Sequence, residues 1–158
     1  MKIKKVISWI LVLIWLIVIF FFSAMDSDNS NQKSKQVINT VVETTINTTN
    51  DLGIVKEPSD AKRNEIVVTL NMPLRKCMHA LVYFILSLLL LNALHLSRFK
   101  NYKLYLICVI VCIIYSLFDE YHQTFVNGRT GQLLDALIDT LGSIIGLIVY
   151  YFSKKVKR

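Results

Sequence analysis

The chain is short of the residues that break up compact soluble folds. It has two prolines and five glycines in 158 residues. No stretch alternates apolar with polar residues as the strands of a membrane β-barrel must. Charged residues make up 18% of the chain and apolar or aromatic residues 54%, whereas soluble domains carry about a quarter charged residues. The sequence contains no GxSxG, HExxH or CxxC pattern, which removes the local signatures of a serine hydrolase and of the common zinc sites. The low charge and high apolar content exclude a soluble enzyme.

What is present is concentrated in four apolar runs, at residues 6–25, 77–96, 104–123 and 133–152. Each reaches the roughly 20 residues of helix that cross a hydrocarbon layer. The expected fold class is therefore an all-α membrane protein of four transmembrane helices, forming one domain over 1–158. The first run follows Lys2, Lys4 and Lys5 as a signal peptide would, but it is longer than the usual 7–15 apolar residues. It reads as an uncleaved anchor.

Charge sets the expected orientation. Residues 1–5, 97–103 and 153–158 together hold ten Lys/Arg and no acid, whereas 26–76 holds seven of each sign. With four spans, the basic segments share one side, and the positive-inside rule makes that side cytoplasmic. Both termini are expected there, and 26–76 outside. The net charge of +7 is thus a topology signal, with no nucleic acid as partner. The C-terminal Lys154, Lys155, Lys157 and Arg158 read as an anchor that meets anionic lipid.

Within 26–76, a polar opening from Asp26 to about Lys35 reads as a linker or helix cap. Val37, Ile38, Val41, Val42 and Ile46 then recur at helical spacing, giving a short amphipathic helical segment between spans one and two. Turns are expected at Asn50–Gly53 and Glu57–Asp60. A second short helix is expected from about Asp60 to Leu70, broken before Pro73. Cys108 and Cys112, four apart in the third span, and Cys77 read as small packing residues. Asn92 and His95, at the far end of span two, read as snorkelling or capping groups.

The polar residues of the spans converge. Arg75, His79 and Tyr83 lie four apart and make one stripe on span two, with Lys76 beside them. Span three ends in Asp119, Glu120, His122 and Gln123. The following turn carries Gly128, which permits a sharp bend, and Arg129. Span four enters with Gln132, Asp135 and Asp139, and at ~1.5 Å per residue Asp139 lies roughly 10 Å below the boundary. Each ionisable group in a span costs ~2.5–3.5 kcal/mol on insertion scales unless it faces inward and finds partners. Four acids, two histidines and three bases at one depth mark a functional pocket on the outer side. Asp135, Asp139, Gly142 and Gly146 also share one stripe, the small-xxx-small pair suiting close packing within the chain.

Three chemistries fit these groups. Arg75, Lys76 and Arg129 suit an anionic headgroup. Glu120, His79 and Asp135 are the candidates for acid–base catalysis. His79, His122 and the carboxylates have the donor types of a Zn or Mn site, but no metal-ligand spacing accompanies them, so neither metal nor cofactor is expected. A purely structural partner of a larger complex is a further alternative.

At these residues the sequence resembles the VanZ-like family of bacterial membrane proteins. One block is Arg75-Lys76-x-x-His79-x-x-x-Tyr83. The other is Asp119-Glu120-x-His122-Gln123-x-Phe125-Val126-x-Gly128-Arg129-x-Gly131-Gln132-x-x-Asp135-x-x-x-Asp139-Thr140-x-Gly142. Departures fall at Val82, where many members carry Glu, at Asn127, often Pro, and at Asp139, often Asn. The resemblance implies a four-span protein of a Gram-positive plasma membrane. It also implies an association with resistance to teicoplanin, achieved without remodelling of wall precursors. The expected partner is then an amphiphile at the outer leaflet: a membrane lipid, a lipid-linked cell-wall precursor, or the lipoglycopeptide itself. The ligand-binding set is expected to be Arg75, Lys76, His79, Tyr83, Asp119, Glu120, Gln123, Gly128, Arg129, Asp135 and Asp139. The alternative is an intramembrane hydrolase or transferase acting on a lipid headgroup.

Overall fold

The computed structural model describes residues 2–25, 27–51 and 59–156. They form five helices in the order α1 (Lys2–Ser23), α2 (Ser27–Asp51), α3 (Asp60–Leu96), α4 (Asn101–Gln123) and α5 (Leu133–Val156). All but α2 are long and apolar enough to cross a membrane. Their apolar side chains stay exposed around the bundle, as at Phe21, Ile114 and Ile145, which is the surface a hydrocarbon solvent requires. The four-span all-α class read from the sequence is the observed one.

α3 is the central element and packs against each of the other four helices, most extensively against α5. These two run parallel, and the glycines of α5 set their separation. A Cβ at Gly142 would overlap the Ala80 carbonyl, and one at Gly146 would overlap the Ser87 hydroxyl and lie 2.8 Å from the Phe84 carbonyl oxygen. Only a hydrogen at these positions lets the two backbones touch, and in lipid that contact supplies the dispersion energy that apolar burial cannot. The small-xxx-small pair is thus spent within the chain, as expected.

Below this seam, Tyr83, Leu86, Leu90, Leu91, Leu104, Cys108 and Cys112 form the core, with Val12 and Ile19 of α1 closing one side. The Cys108 thiol points at the Ser87 carbonyl at 3.6 Å, so both third-span cysteines are packing residues. α1 is tied on by polar bonds. Trp15 Nε1 donates to the Val82 carbonyl at 3.0 Å, and Tyr115 Oη to the Leu16 carbonyl at 2.6 Å. Asn92 Nδ2 donates to Ser8 Oγ at 3.0 Å, so Asn92 is an interhelical tie and not a snorkelling group. Its pairing with a serine 84 residues away leaves no trace in local spacing.

Two expectations for the segment after α1 need correction. The polar stretch expected as a linker is helical from Ser27, while Asp26 lies outside the described residues. Nor does the chain break before Pro73, which sits inside the uninterrupted 37-residue α3. A proline there removes one backbone donor and costs about 3 kcal/mol, but α2 lies along α3 on both sides of it. Ile38, Ile46 and Val67 are buried, and Asn31 Oδ1 accepts from Asn71 Nδ2 at 3.4 Å and from Arg75 Nη1 at 3.1 Å. Of the apolar stripe of α2, Ile38 and Ile46 turn inward, while Val37 and Val41 stay exposed. The expected turns at 50–53 and 57–60 fall largely on 52–58, and Lys157 and Arg158 likewise lie outside the described residues.

The α3–α4 connection is tight. Arg98 takes a left-handed φ of 69° and Phe99 N–H donates back to the Leu94 carbonyl at 3.1 Å, closing the helix as a glycine would. Replacing Gly142 by Ala forces a methyl group onto the α3 backbone. We expect a loss of about 1–3 kcal/mol in stability, measured by thermal or SDS denaturation in detergent, with Gly146→Ala similar and Leu141→Ala, on the exposed face, near neutral.

Candidate functional site

The site lies at the end of the bundle that carries α2. Parallel packing of α3 and α5 puts equivalent turns side by side, so Lys76 and His79 of α3 meet the carboxylates of Asp135 and Asp139 on α5. Lys76 Nζ lies 3.3 Å from Asp135 Oδ1, and one turn deeper His79 Nδ1 lies 3.7 Å from Asp139 Oδ1. The next turn brings the glycine contact described above. Charge pairing and close packing are therefore one continuous seam.

α4 supplies the third wall. Asp119, Glu120 and Gln123 are all buried. Ser116 Oγ donates to Asp139 Oδ2 at 3.1 Å, and Gln123 Nε2 reaches Asp119 Oδ2 at 3.5 Å. Glu120 has a structural task. Its Oε2 accepts the backbone N–H of Gln132 at 2.8 Å, the residue just before α5, whose own carbonyl accepts from Asp135 N–H at 2.9 Å. A carboxylate thus satisfies a donor at the α5 N-terminus, where the helix dipole also favours negative charge. The chain between α4 and α5 turns through Gly128 at φ 72°, as the sequence suggested, and brings Arg129 back over the site.

Two cavities open here. One, of about 120 Å³, is polar and is lined by Arg75, Lys76, His79, Gln123, Gly128, Arg129 and Asp135, among others. The second, of about 320 Å³, is mainly apolar, bounded by Ile19, Phe22, Val37, Leu74, Met78 and Val82, with Tyr83 and Asp119 at its wall. Arg75, His79 and Arg129 line both. They form the boundary between a charged compartment and a greasy one.

Most of the eleven residues anticipated for ligand binding line one cavity or the other. Glu120 and Asp139 line neither, since the first braces the α4–α5 junction and the second is wholly buried behind His79. Of the three acid–base candidates, His79 and Asp135 share the polar cavity, while Glu120 is engaged by Gln132. His122 does not join the donor cluster, because its ring lies against Phe20 of α1 at 4.5 Å between centroids. Sequence reasoning missed the contributions of α1 and α2 to the apolar cavity, since no signal in Ile19, Phe22 or Val37 separates a cavity wall from a lipid-facing residue. Val82 extends that apolar wall.

The fold and site define a multi-pass helical membrane protein with a charged pocket buried at one end of its bundle. The VanZ/LLP1 family model matches residues 8–154, and the chain belongs to that family. No curated protein and no solved structure gives a match.

Glu120→Ala removes the charged acceptor for Gln132 N–H at the part-buried start of α5. We expect it to destabilise the protein by about 1–3 kcal/mol, whereas Glu120→Gln, which keeps an oxygen acceptor, loses less than half as much. Thermal melts of the two variants in the same detergent compare them directly.

Proposed function

We propose that this protein binds an anionic amphiphile, its headgroup in the polar cavity and its hydrocarbon in the adjoining apolar one. The observation that carries this reading is the shared boundary. Arg75, His79 and Arg129 line both compartments, so a molecule with a charged head and an oily tail fills both without burying either part in the wrong surroundings. Guanidinium groups suit phosphate or carboxylate oxygens, which they bind through paired N–H donors. Asp135, 3.3 Å from Lys76, orders the remaining cation.

With the basic segments cytoplasmic, both termini are inside the plasma membrane of a bacterium and the pocket opens to the outer leaflet. The matching substrate class is a lipid-linked wall precursor, or an acylated glycopeptide such as teicoplanin. Family membership supports the second through an antibiotic-resistance role. Cys77, the one exposed thiol among the three cysteines, tests the orientation. An impermeant maleimide added to intact cells is expected to label Cys77 and to leave Cys108 and Cys112 unlabelled.

Function is tested by teicoplanin and vancomycin susceptibility in a sensitive Gram-positive host, at matched membrane levels of each variant. Intact protein is expected to protect selectively against teicoplanin, with protection lost in Arg129→Ala and Asp135→Asn. In detergent, purified protein is expected to bind teicoplanin or a lipid-linked precursor saturably, and Arg129→Ala to weaken binding at least tenfold. Absence of saturable binding to either ligand class refutes the reading.

A further inference from the structure

Deeper than the headgroup cradle, three helices each contribute one metal-type donor to a single point. His79 comes from α3, Asp119 from α4 and Asp139 from α5, and one ligand atom of each lies within 4.8 Å of the other two. Asp119 is 3% exposed and Asp139 fully buried. Ser116 of α4 holds Asp139 Oδ2 at 3.1 Å, and Asp119 has Gln123 Nε2 at 3.5 Å from Oδ2 with Ser23 of α1 beside it. That is the outer-shell support metal-ligating carboxylates ordinarily receive. It leaves Asp139 Oδ1 without a hydrogen bond, 3.7 Å from His79 Nδ1.

A second group points to the same place. Tyr83 lies one helical turn below His79, is completely buried, and its hydroxyl has no hydrogen-bond partner. Asp119, Asp139 and Tyr115 act on it electrostatically, and the Ser116 hydroxyl lies near it without making a hydrogen bond to it. A buried hydroxyl and a buried carboxylate oxygen both left unsatisfied beside two further donors are costly features in an apolar layer. One occupant that accepts lone pairs satisfies them together.

We propose that His79, Asp119 and Asp139 bind a divalent transition-metal ion of the Zn²⁺ or Mn²⁺ class. One imidazole and two carboxylates form a three-ligand set that leaves a coordination position open for water or the Tyr83 oxygen, as non-structural zinc sites do. Two units of positive charge match the two carboxylates, which accounts for their burial within a span. Metal–ligand bonds of 2.0–2.2 Å place donors about 3–4 Å apart, somewhat closer than the 4.8 Å within which these three atoms lie. Arg129 also acts on Asp119 electrostatically. Its guanidinium is the rival occupant, and the two make opposite predictions for metal content.

The full chain, purified in detergent, is stripped with chelator and reloaded separately with Zn²⁺ and Mn²⁺ in the absence of any amphiphile. It is then desalted and its metal content measured by mass spectrometry. One ion of at least one of the two metals per chain is expected to remain. His79→Gln is expected to weaken affinity at least tenfold and Asp139→Asn at least a hundredfold, in competition with a chromophoric chelator. His122→Ala and Cys77→Ser, which remove the donors most apt to bind metal fortuitously, leave retention unchanged. Helicity and monodispersity identify variants that fail to fold. Should Asp139→Asn be among them, Co²⁺ loading of the intact protein and of His79→Gln gives a visible absorption that reports imidazole ligation directly. Retention of neither metal by the intact protein overturns the proposal, as does equal retention by His79→Gln. Either result leaves amphiphile binding untouched, since no amphiphile enters the assay.

Discussion

The close approach of α3 and α5 is the contact on which the rest of the structure depends. Gly142 and Gly146 bring the α5 backbone onto the α3 backbone at Ala80 and Phe84 and onto the Ser87 side chain. Because the two helices run parallel, that contact fixes the register of every turn above it. Asp139 falls beside His79 and Asp135 beside Lys76 for the same geometric reason that Gly142 falls beside Ala80. A small shift of α5 along α3 would strand the carboxylates against lipid or against one another. In a bilayer, where apolar burial gives little drive for helix association, packing of small residues has to hold this register.

The polar end of the bundle then solves a problem of its own. Carboxylates and cations are expensive inside a span unless they meet, and here they are divided by depth. Lys76 and Asp135, both partly exposed, pair near the surface, while Asp119 and Asp139 are sealed below. Glu120 is drawn out of that pool to hold the start of α5. The result is a charged compartment whose counter-charges are arranged in layers, bordered on one side by an apolar cavity to which α1 and α2 contribute. That border is the ground for proposing an amphiphile as the ligand: a soluble anion would use only the smaller cavity.

Much of this was legible in the linear sequence. Length and hydropathy define the spans because a helix must match the thickness of the layer it crosses. The four-residue spacing of Arg75, His79 and Tyr83, and of Asp135 and Asp139, assigns them to helix faces, and the structure puts both faces on one seam. The misreadings share a cause. Pro73 stays helical because α2 braces it on both sides, Asn92 finds Ser8, and His122 turns to Phe20, and none of these partners lies within reach of local spacing.

Sequence alone therefore determined the class of protein, the number of spans and the side of the bundle that collects charge. Those features follow from periodicity, length and composition, which act residue by residue along a helix. Tertiary structure decided which charge pairs with which, that Glu120 braces a helix start, and that one donor from each of α3, α4 and α5 meets at a point. Such pairings depend on the separation and register of helices distant in the chain, and that separation is fixed by whether two backbones can touch at a glycine.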